Sequence, residues 1–131
     1  MIVLDTHVWL WWLSNPEKLS QAAAERIDHE SKNGRIYISS ISAWEIAMLV
    51  AKGRLELSID VSDWLTVSES LPFITFVPVN NKIALQSVLL PGVLHSAPAG
   101  RIIIATAIAM NASVVTSDRK IIAYPIVKSI W

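Results

Sequence analysis

A three-layer α/β/α sandwich around a mostly parallel sheet of four or five strands is the fold this sequence predicts, on three observations. Short apolar segments that suit strands alternate along the chain with longer segments that suit helices, an order that builds parallel sheets through right-handed crossovers. The first segment, Ile2-Val3-Leu4, is apolar at every position, as a strand covered on both faces requires. Isolated acids, Asp5, Glu45 and Asp118, follow the first, second and fourth strand segments, on the side where open parallel sheets present functional groups.

The composition bounds the rest. With 131 residues, 53% of them hydrophobic, the chain can bury one substantial core and is expected to form a single domain over residues 1–131. Charged residues make up only 17%, below the usual quarter, so part of the apolar surface is expected to meet a partner. A formal net charge of zero argues against strong non-specific attraction to long nucleic acid. The absence of cysteine removes disulfides, thiolate nucleophiles and cysteine metal sites. The amino terminus lacks a basic lead and is interrupted by Asp5, and the longest apolar stretch, Ile102 to Val115, is too short for a membrane span and contains Asn111. A soluble cytoplasmic protein is the expectation.

After the first strand, Val8 to Leu13 reads as a helix apolar in every direction, so some of Trp9, Trp11 and Trp12 should reach under neighbouring helices or meet another chain. Ser14-Asn15-Pro16 ends it, and Leu19 to Ser31 is the next helix, with Ser20 as its cap and Leu19, Ala23 and Ile27 on its inner face. Asn33-Gly34 closes that helix and Arg35 to Ser39 has strand composition. Ser42 with Glu45 three residues on is a capping-box pattern opening a helix from Ala43 to Lys52, which Gly53 ends. Leu55 to Leu57 is a connector that can extend.

Asp60 or Ser62 starts a helix to about Ser70, with Val61, Trp64, Leu65 and Leu71 inward, and Phe73 to Val77 is the third strand. Asn80 or Asn81 caps a helix from Lys82 to Leu90 that draws Ile83, Leu85, Val88 and Leu89 into the core, and Pro91-Gly92 stops it. A helix from Gly100 to Asn111 should be deeply buried through Ile102, Ile103, Ala105, Thr106, Ala109 and Met110. Val114 to Thr116 is the fourth strand, Arg119 to Ala123 a short helix, and Ile126 to Ile130 an edge strand.

In this arrangement Asp5, Glu45 and Asp118 can converge at one edge of the sheet. Oxygen ligands of that kind suit Mg²⁺ or Mn²⁺, and such an ion can activate water and neutralise a phosphodiester's charge. Each acid also has a local alternative: Asp5 as a helix cap, Glu45 as the closing member of the capping box, Asp118 as a cap or a partner of Arg119. His7 either joins the cleft or fixes the first turn by hydrogen bonding. Thr6, Ser39, Ser40 and Thr116 can orient carboxylates or waters, and Arg101, Arg119, Lys120, Lys52 and Arg54 are candidate phosphate contacts. No phosphate-binding or dinucleotide-binding glycine pattern occurs.

The ordered set Leu4-Asp5-Thr6-His7, Ser39-Ser40-Ile41-Ser42-Ala43-Trp44-Glu45, Lys52-Gly53-Arg54-Leu55, Leu90-Pro91, His95, Pro98, Arg101 to Ala107 and Val115-Thr116-Ser117-Asp118 resembles the PIN-domain family, specifically its VapC-type toxin ribonucleases. The resemblance spans nearly the whole chain. It implies a parallel α/β/α sandwich and hydrolysis of RNA phosphodiester bonds to 5′-phosphate and 3′-hydroxyl ends, with one or two divalent metals, Mg²⁺ or Mn²⁺. It assigns the first acid to Asp5, the second to Glu45 and a later supporting acid to Asp118, all three expected to be catalytic and to hold metal, beside the supporting or substrate-contacting Thr6, Ser39, Thr116 and Arg101 read above. It also implies a cognate VapB-like antitoxin reaching into the cleft and pairing of two toxin chains through helices into a homodimer; the apolar Trp9, Trp11 and Trp12 segment, with Trp44, Met48 and Val50, is the expected interface material.

One stretch departs from the pattern. Where the family has Asp-Pro-x-Asp-Arg, this chain has Ala97-Pro98-Ala99-Gly100-Arg101, so Gly100 stands at the position of an expected catalytic acid. Loss of that carboxylate should weaken metal binding while easing repulsion among the remaining acids. The leading expectation is an impaired endoribonuclease toxin. The rival is a catalytically inactive module that binds RNA or antitoxin, and a DNA-processing nuclease is the lesser enzymatic alternative.

Overall fold

β1 (Ile2–Leu4), β2 (Ile36–Ser39), β3 (Ile74–Val77), β4 (Ser113–Val115) and β5 (Ser129–Ile130) form one sheet in the order β3-β2-β1-β4-β5. These strands belong to a computed structural model that describes residues 1–131. Every neighbouring pair is parallel, so each strand returns through helical material: α1 (Thr6–Ser14) and α2 (Gln21–Ser31) after β1, α3 (Ser40–Ala51) and α4 (Val61–Glu69) after β2, α5 (Asn81–Val88) and α6 (Pro98–Met110) after β3, and α7 (Arg119–Ile122) after β4.

The pleat divides the strand residues between two cores. Ile2, Leu4, Ile36, Ile38 and Val115 face one side, where they meet Trp9, Ile27, Ile46 and Trp64. Val3 and Val114 face the other, against Ile103, Ile104, Ala107, Ile121 and Tyr124. All three residues of β1 are fully buried, so apolar positions on both pleat faces do what the continuous run predicts. Each large aliphatic side chain removed from water contributes about 1.5–3 kcal/mol relative to exposure, and helices on both faces supply the cover.

The strand order also positions the site. From β1 the chain steps outward to β2 and β3, then crosses back to place β4 on the opposite side of β1. The adjoining connections therefore diverge at the carboxyl ends of β1 and β4 and leave a crevice there. Asp5 stands at one side of it, its amide donating to the Val115 carbonyl at 3.0 Å. Asp118 follows β4 on the other.

Several local expectations are corrected. Ser39, not Ser42, caps α3: its hydroxyl accepts the Ile41 amide at 3.2 Å, and the Ser42–Glu45 capping box does not form because Ser42 is already inside the helix and fully buried. Leu85, Val88 and Leu89 are 61%, 72% and 61% exposed rather than core, because only the Ile83 and Ser87 face of α5 turns inward. α6 begins at Pro98, a residue preorganised for a first helical turn, and its Ala109 is exposed while Ile102 and Met110 are half-buried. Pro16–Lys18 forms a single 3-10 turn, residues 55–57 are not a strand, and the edge strand shrinks to Ser129–Ile130.

The tryptophans separate. Trp9 is fully buried, its ring 4.8 Å from that of Trp64 and 5.5 Å from that of Phe76, so it is core material. Trp11 and Trp12 are half-buried, against Trp131 and Phe73 respectively. Trp44 on α3 is 57% exposed.

Candidate active-site cleft

A cleft of about 230 Å³ opens at the β1/β4 crevice. Asp5, Glu45 and Asp118 all line it, together with His7, Lys120 and the segment carrying Ser96, Ala97 and Gly100. A larger apolar groove of about 620 Å³, between α1, α4 and the 55–58 connector, has Glu56 as its one ionisable lining residue and offers no comparable chemistry.

Asp5 is held at both oxygens. Oδ1 accepts the Thr6 amide at 2.8 Å, and Oδ2 accepts the Thr116 hydroxyl at 2.6 Å. Thr116 in turn accepts the Asp118 amide at 3.0 Å, tying the end of β4 to the end of β1. Burial pushes the Asp5 carboxyl above its ordinary range. The hydrogen bonds from Thr116 and the Thr6 amide oppose that rise, the charge of Glu45 adds to it, and His7 opposes it slightly.

Glu45 is aimed by a second relay. Thr6 Oγ1 lies 2.6 Å from Glu45 Oε1 and 2.8 Å from Ser42 Oγ. A hydroxyl has one hydrogen, and the carboxylate is the stronger acceptor, so Thr6 donates to Glu45 and Ser42 donates to Thr6. Thr6 and Ser42 are buried, so this chain is fixed within the fold. The capping alternative for Glu45 is thereby resolved: its carboxylate accepts from Thr6 rather than from an amide at its own helix start.

Asp118 caps α7, its Oδ1 accepting the Lys120 amide at 2.9 Å. Cap and cleft positions coincide here. Ser39 spends its hydroxyl on capping α3 and does not line the cleft. His7 makes no side-chain hydrogen bond, so the expected turn-fixing contact is absent; its exposed ring lies 5.9 Å from that of Trp11.

Of the candidate phosphate contacts, Lys120 alone lines the cleft. Arg101 is occupied elsewhere: Nε donates to the Ser87 carbonyl at 2.8 Å, Nη1 to the Leu94 carbonyl at 2.9 Å, and Nη2 points to the Val88 carbonyl at 3.5 Å. It fastens the carboxyl end of α5 and the loop after it onto α6.

The α6 wall of the cleft carries little polar function. Ala97 occupies the cap position of α6 and gives no side-chain hydrogen bond. Gly100 lies in the helix's first turn, and a Cβ added there would collide with Ser96 Oγ, with Ser96 Cβ at 3.4 Å and Ile121 Cδ1 at 3.8 Å. No three His, Asp or Glu side chains are close enough together to hold a metal ion. The carboxylates that line the cleft, Asp5, Glu45 and Asp118, are oxygen donors of the chemistry Mg²⁺ or Mn²⁺ takes, and residue 100 adds none to them. Sequence reasoning missed Ser42 as part of the Glu45 relay and Ser96 as a cleft residue; neither carries a local sequence signal, because both depend on the approach of distant segments.

Comparison with known proteins gives consistent relatives. The PIN domain family model matches residues 2–127. Ribonuclease VapC22 of Mycobacterium tuberculosis is 34% identical over 120 residues, covering 92% of this chain and 88% of the relative. The chain also superposes on VapBC2 from Rickettsia felis bound to a DNA fragment from their promoter, with TM-score 0.70 and 20% identity over 98% of this chain and 97% of that one. FitAcB from Neisseria gonorrhoeae gives TM-score 0.66 and 22% identity over 98% and 96% of the two chains. These two structural likenesses concern the fold.

Proposed function

We propose, on the premise that this chain belongs to the PIN-domain family and is a VapC-like toxin of a toxin–antitoxin pair, that its β1/β4 cleft is a ribonuclease site whose hydrolytic capacity is impaired at Gly100. The substrate class is RNA, and the bond is its phosphodiester. A divalent cation, Mg²⁺ or Mn²⁺, when bound in such a site supplies charge neutralisation and an activated water. What this chain's own residues do is narrower. Thr116 and the Thr6 amide orient Asp5, Thr6 orients Glu45, and Asp118 and Lys120 frame the opening. Asp5, Glu45 and Asp118 are the proposed catalytic and metal-facing acids, with Thr6 and Thr116 as positioning residues.

The observation that carries this reading is residue 100 itself: Gly100 lines the cleft beside Asp5, Glu45 and Asp118 and brings no carboxylate to it, where the family pattern has an acid. A single domain over residues 1–131, a VapB-like antitoxin partner, a homodimer and a cytoplasmic setting belong to the same proposal. Its support for a covered surface is the exposed apolar material, Trp44 on α3 and Leu85, Val88 and Leu89 at the end of α5. The missing acid at Gly100 equally motivates a second reading, an inactive module that retains RNA or antitoxin binding.

The test compares cleavage of a mixed RNA pool, with Mg²⁺ and with Mn²⁺, by the chain and by Gly100→Asp/Ser96→Ala, in which the new side chain has room. Asp5→Asn controls for contaminating nuclease. Cleavage only by the restored form is the expected result. Equal cleavage by the chain itself, lost in Asp5→Asn, overturns the impairment, while silence from both transfers the assignment to the binding module.

A further inference from the structure

The corner of the cleft vacated at Gly100 is already filled. A Cβ built on Gly100 points at Ser96 Oγ, and the collision is with that hydroxyl, because Ser96 Cβ stands back at 3.4 Å. The serine's oxygen thus lies beside the point from which a side chain on residue 100 would enter the cleft. Ser96 lines the cleft with Asp5, Glu45 and Asp118 and forms no hydrogen bond through its hydroxyl, so the oxygen keeps its donor and acceptor capacity. The backbone that carries it is anchored from behind by Arg101, which grips the Leu94 and Ser87 carbonyls.

We propose that Ser96 is a positioning residue of this cleft, whose hydroxyl takes the place vacated at Gly100 and offers a neutral oxygen donor toward a divalent cation or its water. The inference rests on reading the cleft as a cation site, and it sharpens that reading by moving the missing donor from residue 100 to residue 96. A neutral hydroxyl contributes less than a carboxylate to holding Mg²⁺ or Mn²⁺, which agrees with a cleft that lacks a complete ligand cluster. The geometry has a direct corollary. An acid at residue 96, in the rotamer Ser96 now has, starts its carboxylate beside the point where the Cβ of an acid at residue 100 would stand. The two positions are alternative routes to one ligand site, and an acid at 100 requires the serine hydroxyl to rotate away.

Mn²⁺ binding measured by titration calorimetry on the intact chain tests this without any turnover. Ser96→Asp should raise Mn²⁺ affinity about tenfold or more over the unmodified chain, the scale on which orienting and ligating partners act at metal sites. Ser96→Asn, of the same shape without the charge, should not. Adding Asp5→Asn to Ser96→Asp should remove the gain, since both acids face the same cleft. Gly100→Asp/Ser96→Ala is the companion. If it gains affinity and Ser96→Asp does not, residue 96 does not address the vacated corner, and the proposal fails while the cation reading of the cleft stands. If neither gains, both fail together.

Discussion

The two walls of the cleft are built on opposite plans. On the β1/β4 wall the proposed site residues are themselves tied into the fold: Asp5 joins Thr6 and Thr116, and Glu45 joins a buried Thr6–Ser42 relay. On the α6 wall the cleft-facing positions, Ser96, Ala97 and Gly100, form no side-chain hydrogen bonds, and the segment is held from behind by Arg101. The difference teaches where function can be lost cheaply. An acid removed from the first wall leaves buried partners unpaired, whereas side chains on the second wall can be trimmed with little effect on the fold.

The largest expected effect comes from cutting the hidden support of the α6 wall. Arg101→Met removes two charge-assisted hydrogen bonds shorter than 3 Å and leaves the Ser87 and Leu94 carbonyls unpaired. A loss of about 3 kcal/mol is expected, measured by urea denaturation, with faster amide exchange along residues 94–100. A change under about 0.5 kcal/mol, the usual range for unremarkable surface sites, would show that the wall stands without Arg101.

Next is the relay on the other wall. Thr6→Val keeps the shape and removes the hydroxyl, stranding buried Ser42 Oγ and one oxygen of Glu45. The expected cost is about 2 kcal/mol. Its counterpart Ser96→Ala should stay within about 0.5 kcal/mol of the parent. Equal costs for the two variants would erase the distinction between the walls.

Ala97→Asp should go the other way. Ala97 sits at the cap of a 13-residue helix without a side-chain acceptor, and an acid there both accepts a first-turn amide and complements the helix dipole. A gain of about 1 kcal/mol is expected, read as a higher urea midpoint at unchanged slope. Of the two positions where the family resemblance expects acids, residue 97 is then chiefly a matter of helix stability and residue 100 of the cleft.

How much of this was legible beforehand follows the range of the interactions. The sheet, its parallel sense and the acids at its carboxyl edge follow from apolar runs and from alternation, which are local. Ser20 and Asn80 as caps are equally local, and each accepts the amide three residues on, Ala23 and Ile83. Ser42 misled because Ser-x-x-Glu fits a capping box, but tertiary placement put its hydroxyl against Thr6, 36 residues away. Leu85, Val88 and Leu89 misled because hydropathy marks a residue as apolar without saying that one face of α5 has nothing over it. Arg101 reads from sequence as a free cation; only the fold brings the Ser87 and Leu94 carbonyls to it.

The smallest effect is the most discriminating, because it asks whether the β1/β4 wall carries a strain of its own. Burial raises the Asp5 carboxyl, with a further push from Glu45, despite the two hydrogen bonds that favour its charge. Between the ordinary value of 3.8 and the raised native one, the folded chain holds a proton that the unfolded chain has released. Stability therefore falls as pH rises through that window and stays reduced above it. Asp5→Asn keeps an acceptor for the Thr6 amide and has no charge to desolvate, although its amide nitrogen takes from the buried Thr116 hydroxyl the acceptor that Asp5 Oδ2 supplies. The unfolding temperature of the variant should rise relative to the parent's between pH 3.8 and pH 7, and this pH-dependent gap should close as pH is lowered toward and below 3.8. A gap that is constant with pH would assign the difference to packing alone. A gap that closes shows that the hydrogen bonds of this wall hold in place a carboxylate the fold would be more stable without, as a site retained for its charge requires.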